Sequence, residues 1–425
     1  MNHSLIENPV PGTLFPLLPE TEQLLFKELQ TQWPFTQQQL KLLIDIAKDF
    51  SMWQSPSFTQ TWQQLIPSPP QPPKKQDAKK AFERIHSLWQ DMKKRPHQFS
   101  EVTAKHKQVV TERYSFSTIP TDDKILGRCP VASDRTLCCN LLTLDAVRNC
   151  GFDCSYCSIQ SFFKSDKILV ETDLSRKLKE VNLDPNEVYH IGTGQSSDSL
   201  MWGNKEGILD DLFTFAEENP NVILEFKTKS KNIQHLLKTP YPKNVISTWS
   251  LNPNDVILEE ERYTATLEER LHAARKIADK GRLVGFHFHP LLYFEGFKES
   301  HAQLVAEIQK RFAPEEVAMI SLGTVTFAKS VVKKIRARSI HTKILQMPLQ
   351  EADGKLSYPD ETKLRLFRSV YEPFTPWHNK VFFYLCMENQ ALWEPIFGFQ
   401  YENNKEFESA MKDSYLDKIN RLGAL

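Results

Sequence analysis

The sequence has no apolar stretch as long as a membrane-spanning helix, which needs about 20 residues. Its first residues also lack the charged and apolar regions of a secretory signal peptide. There is no excess charge of either sign, since 53 Lys and Arg residues balance 53 Asp and Glu residues. Without a global field to attract nucleic acid, a nucleic-acid partner would need a local basic surface. These absences predict a globular protein with no membrane partner.

Cysteine is also scarce, and three of the seven cysteines fall in one short run. Cys150, Cys154 and Cys157 have the spacing C-x3-C-x2-C, and Tyr156 stands directly before the last of them. This arrangement can wrap a loop around one [4Fe-4S] cluster, with a thiolate on each of three irons and the fourth iron open. The open iron can chelate the amino and carboxylate groups of S-adenosylmethionine (SAM), which is the arrangement found in radical SAM enzymes.

Zinc is the alternative metal that these thiols could bind. A structural zinc ion needs four closed ligands, usually as two separated pairs, so a fourth ligand would have to come from elsewhere in the chain. The residues between the cysteines, which include Gly151, Asp153 and Ser155, form a polar, turn-prone loop rather than a packed element. We therefore interpret the run as a cluster loop. Its thiolates must be reduced, which predicts a cytoplasmic protein rather than a disulfide scaffold.

Changes in pattern along the chain predict three regions. They are an N-terminal helical region at 1–113 with a proline-rich connector at 67–75, a barrel at 114–345, and a small C-terminal extension at 346–425 that packs on the barrel. In the first region, Thr36 and Gln39 have the spacing of a capping box ahead of one helix, and a second helix is predicted at Asp77–Met92.

Short apolar runs predict the strands of the barrel, and amphipathic segments predict its helices. The strand candidates are Glu187–Ile191, Val222–Lys227, Val245–Trp249, Arg282–His287, Ala318–Ser321 and, in the extension, Val381–Cys386. The helix candidates are Gly207–Glu218, Thr266–Lys280 and His301–Arg311. Such alternation indicates parallel βα units. With the stretch after Cys157 added, about six units fit, fewer than the eight of a closed TIM barrel, so the predicted fold is α/β with a partial (β/α)6 TIM-type barrel.

The working residues of such a barrel gather at the C-terminal ends of its strands. Gly192, Thr193 and Gly194 follow the first strand candidate, where two glycines let the backbone approach a ligand such as the SAM ammonium group. This turn is informative because it comes one βα unit after the cluster loop.

The next two strand ends supply further candidates. Lys227 and Lys229 share one strand face with Glu225, because side chains alternate along a strand. Either lysine could pair with the SAM carboxylate, and exposure at a strand end is the alternative. Ser250 and Asn252 are candidates to bind the SAM ribose hydroxyls.

Two histidines and a basic run have less specific interpretations. His287 and His289 lie on one strand face and could bind substrate, transfer protons or ligate a metal, but hydrogen-bonded histidines inside the barrel are the default. The basic run from Lys329 to Lys343 could contact a phosphate backbone, but a solvated helix face explains it somewhat better.

The remaining four cysteines are also open to two interpretations. Cys129, Cys138 and Cys139 precede the cluster loop and suit either a second metal site or buried packing. Cys386 lies in an apolar strand candidate, and we expect it to be inert.

Several separated blocks resemble, in their order, the spore photoproduct lyase family of radical SAM proteins. The blocks are Asn149–Gln160, Ile191–Leu200, Glu225–Ser230, Trp249–Pro253, Val284–Pro290, Ile320–Gly323 and Tyr384–Glu388. The resemblance implies a partial (β/α)6 barrel, one [4Fe-4S] cluster and SAM, which supply a 5′-deoxyadenosyl radical that takes a hydrogen atom from substrate. In the lyase itself, the substrate is a methylene-bridged thymine dimer in DNA.

The resemblance also implies roles by position. The implied cluster ligands are Cys150, Cys154 and Cys157, and the implied cofactor-binding residues are Tyr156, Gly192, Thr193, Gly194, Lys227, Lys229, Ser250 and Asn252. One position departs from the family pattern, because Gln195 stands where the lyase has a cysteine that returns a hydrogen atom to the substrate radical. A glutamine N–H bond is too strong to donate a hydrogen atom to a carbon radical.

The leading hypothesis is a lyase-like radical SAM enzyme that acts on nucleic acid. Its expected partners are DNA and an electron donor such as flavodoxin or ferredoxin. A second hypothesis keeps the radical chemistry but changes the substrate to a protein, peptide or metabolite. A third is a non-catalytic protein that keeps the cluster as a structural staple, and the presence of the candidate SAM-binding residues argues against it.

Overall fold

The structure of the protein, a computed structural model, describes residues 10–67, 72–99, 116–119, 124–129, 136–163, 167–194, 196–352 and 354–422. Gln195 and residues 68–71 of the proline-rich connector lie outside the described residues. The chain forms two compact units, a helical unit (Met1–Gln98 and Thr326–Pro359) and a sheet unit (Phe99–Val325 and Asp360–Leu425). Each unit combines two separate stretches of chain. The three contiguous regions expected from the sequence stay a prediction.

The sheet unit is built on seven parallel strands and one antiparallel edge strand. The parallel strands are β1 (Leu142–Leu144), β2 (Tyr189–Thr193), β3 (Val222–Thr228), β4 (Val245–Ser250), β5 (Val284–Leu291), β6 (Val317–Thr324) and β7 (Phe382–Leu385). Each strand pairs with the next one along the chain, and Leu126–Arg128 pairs antiparallel with β1. The α/β fold with a partial TIM-type barrel is confirmed. Strands β2 to β6 are five of the six expected units. The stretch after Cys157, expected to supply the sixth, instead forms Ile168–Glu171 in a separate three-stranded sheet, because it pairs with Phe116–Ile119 and Val147–Arg148. Strand β1, which precedes the cysteine motif, occupies one end of the parallel set, and β7 adds to the other end beside β6.

Helices follow most of the strands. In the sheet unit they are Leu174–Lys179, Ile208–Glu218, Gln234–Lys238, Asn254–Glu260, Leu267–Ala278, Phe297–Arg311, Asp360–Tyr371, Trp393–Phe397 and Asn404–Arg421. The side chains of β3 show how strand alternation packs the unit. Phe226 packs on Phe213 of the helix Ile208–Glu218, with ring centroids 6.1 Å apart, while Glu225 and Lys227 face the other side and line a cavity.

Short elements complete the sheet unit. Phe116–Ile119, Ile168–Glu171 and Val147–Arg148 form a three-stranded sheet, and Asp153–Cys154 pairs with Glu261–Arg262. In the part of the chain that the structure describes, no helix of either unit is long and apolar enough to cross a membrane.

The helical unit begins with the four helices Glu20–Gln32, Gln37–Trp53, Phe58–Leu65 and Lys75–Lys94. Its second stretch adds the helix Lys329–Arg336 and the antiparallel strands Thr326–Ala328, Lys355–Ser357 and Gln350–Ala352. The predicted capping box is confirmed. The Gln39 backbone N–H donates to Thr36 Oγ1 (3.2 Å), and the Thr36 backbone N–H donates to Gln39 Oε1 (2.9 Å).

Arg336 belongs to the basic run from Lys329 to Lys343, but its guanidinium group binds within the helical unit. Its Nε donates to Asp49 Oδ1 (2.7 Å) and its NH2 donates to Asp49 Oδ2 (2.8 Å). Trp89 Nε1 donates to the same carboxylate (3.0 Å), whose side chain has no solvent exposure. This arginine therefore anchors the second stretch of the unit to the first, and it is not available to a phosphate backbone.

Replacing Asp49 with Ala leaves the Arg336 guanidinium group without its buried partner. Since breaking a buried pair leaves an uncompensated charge, we expect Asp49→Ala to lower the unfolding free energy of the helical unit by about 3–5 kcal/mol. Urea titration followed by tryptophan fluorescence measures this loss. Lys329→Ala is the control, because the exposed Lys329–Glu351 pair (2.8 Å) contributes at most about 1 kcal/mol. Equal urea midpoints for the two variants would contradict the anchoring role.

Candidate functional site

The three motif cysteines lie in the loop that follows β1 along the chain, and backbone contacts hold this loop in place. Asp153–Cys154 forms a short antiparallel pair with Glu261–Arg262. The Ser155 N–H donates to the Glu260 carbonyl (2.9 Å), and the Cys157 N–H donates to the Cys154 carbonyl (3.2 Å). The cluster loop is therefore fixed by the segment that follows the helix Asn254–Glu260.

Two of the three motif thiols have raised pKa values. None of the seven cysteines, all of which the structure describes, forms a disulfide. Burial raises the pKa of the Cys150 thiol, and the nearby Asp198 carboxylate raises it further. Burial likewise raises the pKa of the Cys154 thiol, with a further increase from the Glu261 carboxylate. Such thiols become thiolates by binding a metal. Within the described residues, no three His, Cys, Asp or Glu side chains form a site for a single metal ion. A cluster instead takes one thiolate at each of three irons.

A buried carboxylate, Glu261, connects three of the predicted cofactor-binding residues. It accepts hydrogen bonds from the Tyr156 hydroxyl and from Asn252 Nδ2 (2.8 Å), and Lys229 Nζ lies 3.4 Å from its Oε1. Its other oxygen pairs with Arg270 NH2 at 2.5 Å, and neither side chain of that pair is exposed. The cluster loop and the ends of β3 and β4 therefore meet at one carboxylate.

The charge on Glu261 is secured by its partners. Burial opposes ionisation, but Arg270, then Lys229 and the hydrogen bonds from Tyr156 and Asn252, lower the pKa of this carboxyl to about 2. Sequence reasoning missed both Glu261 and Arg270. Glu261 ends a run of three glutamates, Glu259 to Glu261, which has the composition of an exposed helix end. No periodicity in the sequence identifies Arg270 as its partner.

The predicted glycine turn after β2 is shaped by close packing. Gly194 has φ +84°, and a Cβ there would lie 2.6 Å from Ser199 Oγ and 3.1 Å from the Lys227 carbonyl oxygen. Thr193 Oγ1 donates to Ser199 Oγ (2.7 Å). Only glycine fits at position 194, because a side chain would collide with backbone as well as with Ser199. Gln195, the residue that follows, lies outside the described residues.

Asp198 ties this turn to the end of β3. Its Oδ1 accepts from Thr228 Oγ1 (2.7 Å) and from the Met201 N–H (2.9 Å), and its Oδ2 accepts from the Lys229 N–H (2.7 Å). The carboxylate thus fixes two neighbouring strand ends relative to each other. The sequence marks Asp198 only as part of the block Ile191–Leu200.

The end of β4 carries the two predicted ribose-binding residues. Ser250 is buried, and its carbonyl oxygen accepts from Arg270 NH1 (2.8 Å). Asn252 is fully buried, and its Oδ1 has no hydrogen-bond partner among the described residues. Because Asn252 Nδ2 donates to the Glu261 carboxylate, the unpartnered atom is the acceptor oxygen.

A cavity that is partly open to solvent lies at the C-terminal ends of the strands. Its lining residues are Cys129, Cys138, Cys139, Leu141, Gly192, Thr193, Glu225, Lys227, His287, His289, Tyr384, Cys386 and Met387. The structure thus separates the two candidate lysines. Lys227 faces this cavity, with Nζ 3.5 Å from His289 Nδ1, whereas Lys229 binds Glu261.

The two histidines of β5 are hydrogen-bonded inside the barrel, as their default interpretation expects. His287 Nε2 donates to Glu225 Oε1 (2.6 Å), and His190 Nε2 donates to Glu225 Oε2 (2.8 Å). Burial opposes the charge of Glu225, but His287 and His190 prevail and hold the pKa of this carboxyl well below its usual value. Burial and the nearby Lys227 ammonium lower the pKa of His287 to about 4. His289 accepts from or donates to Ser321 Oγ (2.8 Å).

The predicted strand that carries Cys386 extends one residue beyond the C-terminal end of the observed one, and the expected inertness of its thiol stays a prediction. Strand β7 ends at Leu385, and Cys386 lines the cavity beside Tyr384. All four cysteines outside the cluster motif line this same cavity.

Comparisons with known proteins agree with this fold. The family model described as "Spore photoproduct lyase" matches residues 146–360, slightly more than half of the chain. The spore photoproduct lyase of Clostridium acetobutylicum is 24% identical over 199 residues, which cover 45% of this chain and 59% of that protein. The lyase of a Geobacillus species is 23% identical over 202 residues, covering 46% and 59%. The matched part thus spans about three fifths of the length of these relatives.

Solved structures of spore photoproduct lyase share the fold. The lyase complexed with dinucleoside spore photoproduct superimposes with a TM-score of 0.56 at 20% identity, covering 64% of this chain and 82% of that one. A double mutant with bound AdoMet and dinucleoside spore photoproduct gives 0.50 at 21% identity, covering 56% and 75%. Because the family model covers more than half of the chain, including the cysteine motif and strands β2 to β6, the chain belongs to the spore photoproduct lyase family.

Proposed function

We propose that the protein is a radical SAM enzyme that binds one [4Fe-4S] cluster through Cys150, Cys154 and Cys157. It acts as a lyase-like enzyme on DNA, with a thymine-dimer lesion as the substrate. The observation that carries this proposal is the convergence of Tyr156, Lys229 and Asn252 on Glu261. This convergence sets the cluster loop beside the strand ends that the proposal assigns to SAM.

The residues at the site suit both cofactors. Three thiols on one loop can each bind one iron of the cluster. The buried, unpartnered Asn252 Oδ1 is an acceptor suited to a ribose hydroxyl, and an orphaned buried acceptor is costly unless a ligand satisfies it. The tight turn at Gly194 exposes backbone rather than side chain to the SAM ammonium group.

The separation of the two lysines assigns them different tasks. Lys229 neutralises Glu261 and lies over the Tyr156 ring (5.6 Å), so it positions the cluster loop. Lys227 faces the cavity, where its charge suits the SAM carboxylate. Burial lowers the pKa of Lys227, and an anionic ligand would restore its preference for the charged form.

When bound together, the cluster and SAM supply a 5′-deoxyadenosyl radical. The chain orients the cofactor and keeps water away from the radical. Glu225 serves this second task by holding His190 and His287 as hydrogen-bonded walls of the lumen. With its pKa near 4, His287 stays uncharged at neutral pH, so the wall adds no second cation beside Lys227.

The names of the relatives support DNA as the substrate class. Spore photoproduct lyase is solved with a dinucleoside spore photoproduct, and we transfer that substrate class to this chain. The net charge of zero means that DNA binding must be local. The electron would come from a low-potential donor of the flavodoxin or ferredoxin type, in the cytoplasm.

The test is anaerobic reconstitution with iron and sulfide, followed by SAM, dithionite and an oligonucleotide that carries the methylene-bridged thymine dimer. Mass spectrometry follows 5′-deoxyadenosine and restored thymines. Both products together are the expected result. Deoxyadenosine without restored thymines would instead favour a protein, peptide or metabolite substrate, and the absence of deoxyadenosine would contradict the radical SAM proposal.

Cys154→Ala removes one of the three cluster thiolates. We expect this chain to lose the iron–sulfur absorbance near 400 nm after reconstitution, on the order of the full signal, together with SAM cleavage. Cys129→Ser is the matched control, since Cys129 lies outside the motif and should retain both signals. Full cluster absorbance in Cys154→Ala would contradict the assignment of the ligands.

Glu261→Gln keeps the size of the side chain but removes the charge between Arg270 and Lys229. Because Tyr156, Lys229 and Asn252 then lose a shared anchor, we expect the dissociation constant for SAM to rise about tenfold or more, with the iron content preserved. Anaerobic equilibrium dialysis measures the constant, and the change in the EPR spectrum of the reduced cluster on adding SAM reports the geometry.

Glu269→Gln is the matched control for this substitution. Glu269 forms an exposed pair with Lys231 (2.5 Å), and glutamine preserves its role at the start of the helix Leu267–Ala278. A SAM affinity equal in both variants would exclude the positioning role.

The pH dependence of the anchor follows from the lowered pKa of Glu261. Since this pKa is lowered to about 2, the anchoring persists at every pH above about 4.5 and is lost only as the pH falls toward 2.

A further inference from the structure

The four cysteines outside the cluster motif converge on one cavity. Cys129, Cys138, Cys139 and Cys386 come from segments far apart in the sequence, and all of them line the cavity that Gly192, Thr193 and Lys227 also line. None of these four thiols has a role in binding the cluster or SAM as proposed above.

Cys386 has a defined direction within this group. Its backbone N–H donates to the Leu322 carbonyl (2.7 Å), which continues the β6–β7 pairing by one residue beyond Leu385. Side chains two apart on a strand share a face, and both Tyr384 and Cys386 line the cavity. The thiol is half-buried, so it is reachable from the cavity.

The surroundings of Cys386 favour the protonated form of its thiol. Burial raises the pKa of this thiol to about 12, although the Lys227 ammonium pulls it down. A protonated thiol has a hydrogen atom to give, whereas a thiolate has none. Cys138 is less suitable, because its hydrogen bond with Cys139 lowers its pKa to about 6. Cys139 is nearly enclosed, at 9% exposure.

We propose that Cys386 is the hydrogen-atom donor to carbon radicals formed in this cavity. This inference rests on the proposed radical SAM function and supplies the thiol that position 195 lacks. Cys386 lies beside Lys227, the residue assigned to the SAM carboxylate, and both line the cavity that Gly192 and Thr193 also line.

The step balances in atoms and electrons. The S–H bond of Cys386 breaks homolytically as a C–H bond forms on the substrate carbon, leaving a closed-shell product and a thiyl radical. An S–H bond is weaker than the C–H bond that replaces it, so the transfer is favourable. One electron and one proton then return the thiyl radical to the thiol. The electron comes from the same class of low-potential one-electron reductant that reduces the cluster.

The test follows deuterium from solvent. Thiol hydrogens exchange with D2O, whereas carbon-bound hydrogens do not. The reconstituted full chain is mixed with SAM and dithionite in D2O, without substrate, so that the cavity wall is the radical's nearest hydrogen source. We expect the wild-type chain to give 5′-deoxyadenosine that carries one deuterium, measured by mass spectrometry as a fraction of the deoxyadenosine formed.

Cys386→Ser is the decisive variant. Serine nearly matches cysteine in size and also exchanges its hydrogen, but its O–D bond is too strong to donate, so we expect the deuterated fraction to fall by about tenfold or more. Cys386→Ala should behave in the same way. Cys129→Ser, which changes a thiol elsewhere on the cavity wall, should leave the fraction unchanged. Because the fraction is a ratio, it does not depend on the rate of SAM cleavage.

The outcomes separate the two proposals. Deoxyadenosine without deuterium in the wild-type chain, or an equal deuterated fraction in Cys386→Ser, would overturn the role of Cys386 and leave the radical SAM function standing. No deoxyadenosine from the wild-type chain would contradict the radical SAM function itself.

A second measurement needs no cofactor. In the cluster-free chain, alkylation by iodoacetamide with peptide mapping reports the thiolate fraction of each cysteine. Since the pKa of Cys386 is raised to about 12, we expect its alkylation rate to rise about tenfold per pH unit from pH 7 to pH 9 without a plateau. A rate that is already at its plateau at pH 7 would show a thiolate, which has no hydrogen atom to donate.

Discussion

The buried ion pair of Glu261 and Arg270 holds the proposed site together. Both side chains have no solvent exposure, and a buried charge is tolerated only when its partners are complete. Glu261 meets this demand with Tyr156, Lys229 and Asn252, which belong to three different segments of the chain. The contacts that stabilise this one buried carboxylate therefore join the cluster loop to the strand ends.

Glu225 is a second buried carboxylate, and its partners differ from those of Glu261. Its carboxylate accepts hydrogen bonds from His190 and His287, whereas Lys229 pairs with Glu261. Lys227, in contrast, lines the cavity. Lys229 therefore positions the cluster loop, whereas Lys227 is suited to an anionic ligand.

The sequence predicted the parts of this molecule that local patterns determine. Apolar runs located the strands from β2 to β6, the capping box at Thr36 located a helix, and the cysteine spacing located the cluster loop. It did not locate the partners that meet only through tertiary structure. Asp49 and Arg336 pair across nearly 290 residues of chain, and no periodicity or motif links them. Glu261 and Arg270 are near in sequence, but a run of glutamates gives no sign that its last member is buried.

The position of Cys386 shows what the C-terminal strand β7 adds, because the sequence did not indicate that its thiol lines the cavity. An apolar run such as Phe382–Leu385 correctly predicts a strand, but the pattern does not say where the strand ends or what lies beyond its end. In the structure, β7 pairs with β6, so its C-terminal end joins the row of strand ends where the cavity lies. Strand β7 thus brings Tyr384 and Cys386 to the cavity that Lys227 also lines, whereas Glu261 lies at the ends of β3 and β4 with Lys229 and Asn252. The cavity wall and the surroundings of Glu261 are therefore built by different segments of the chain.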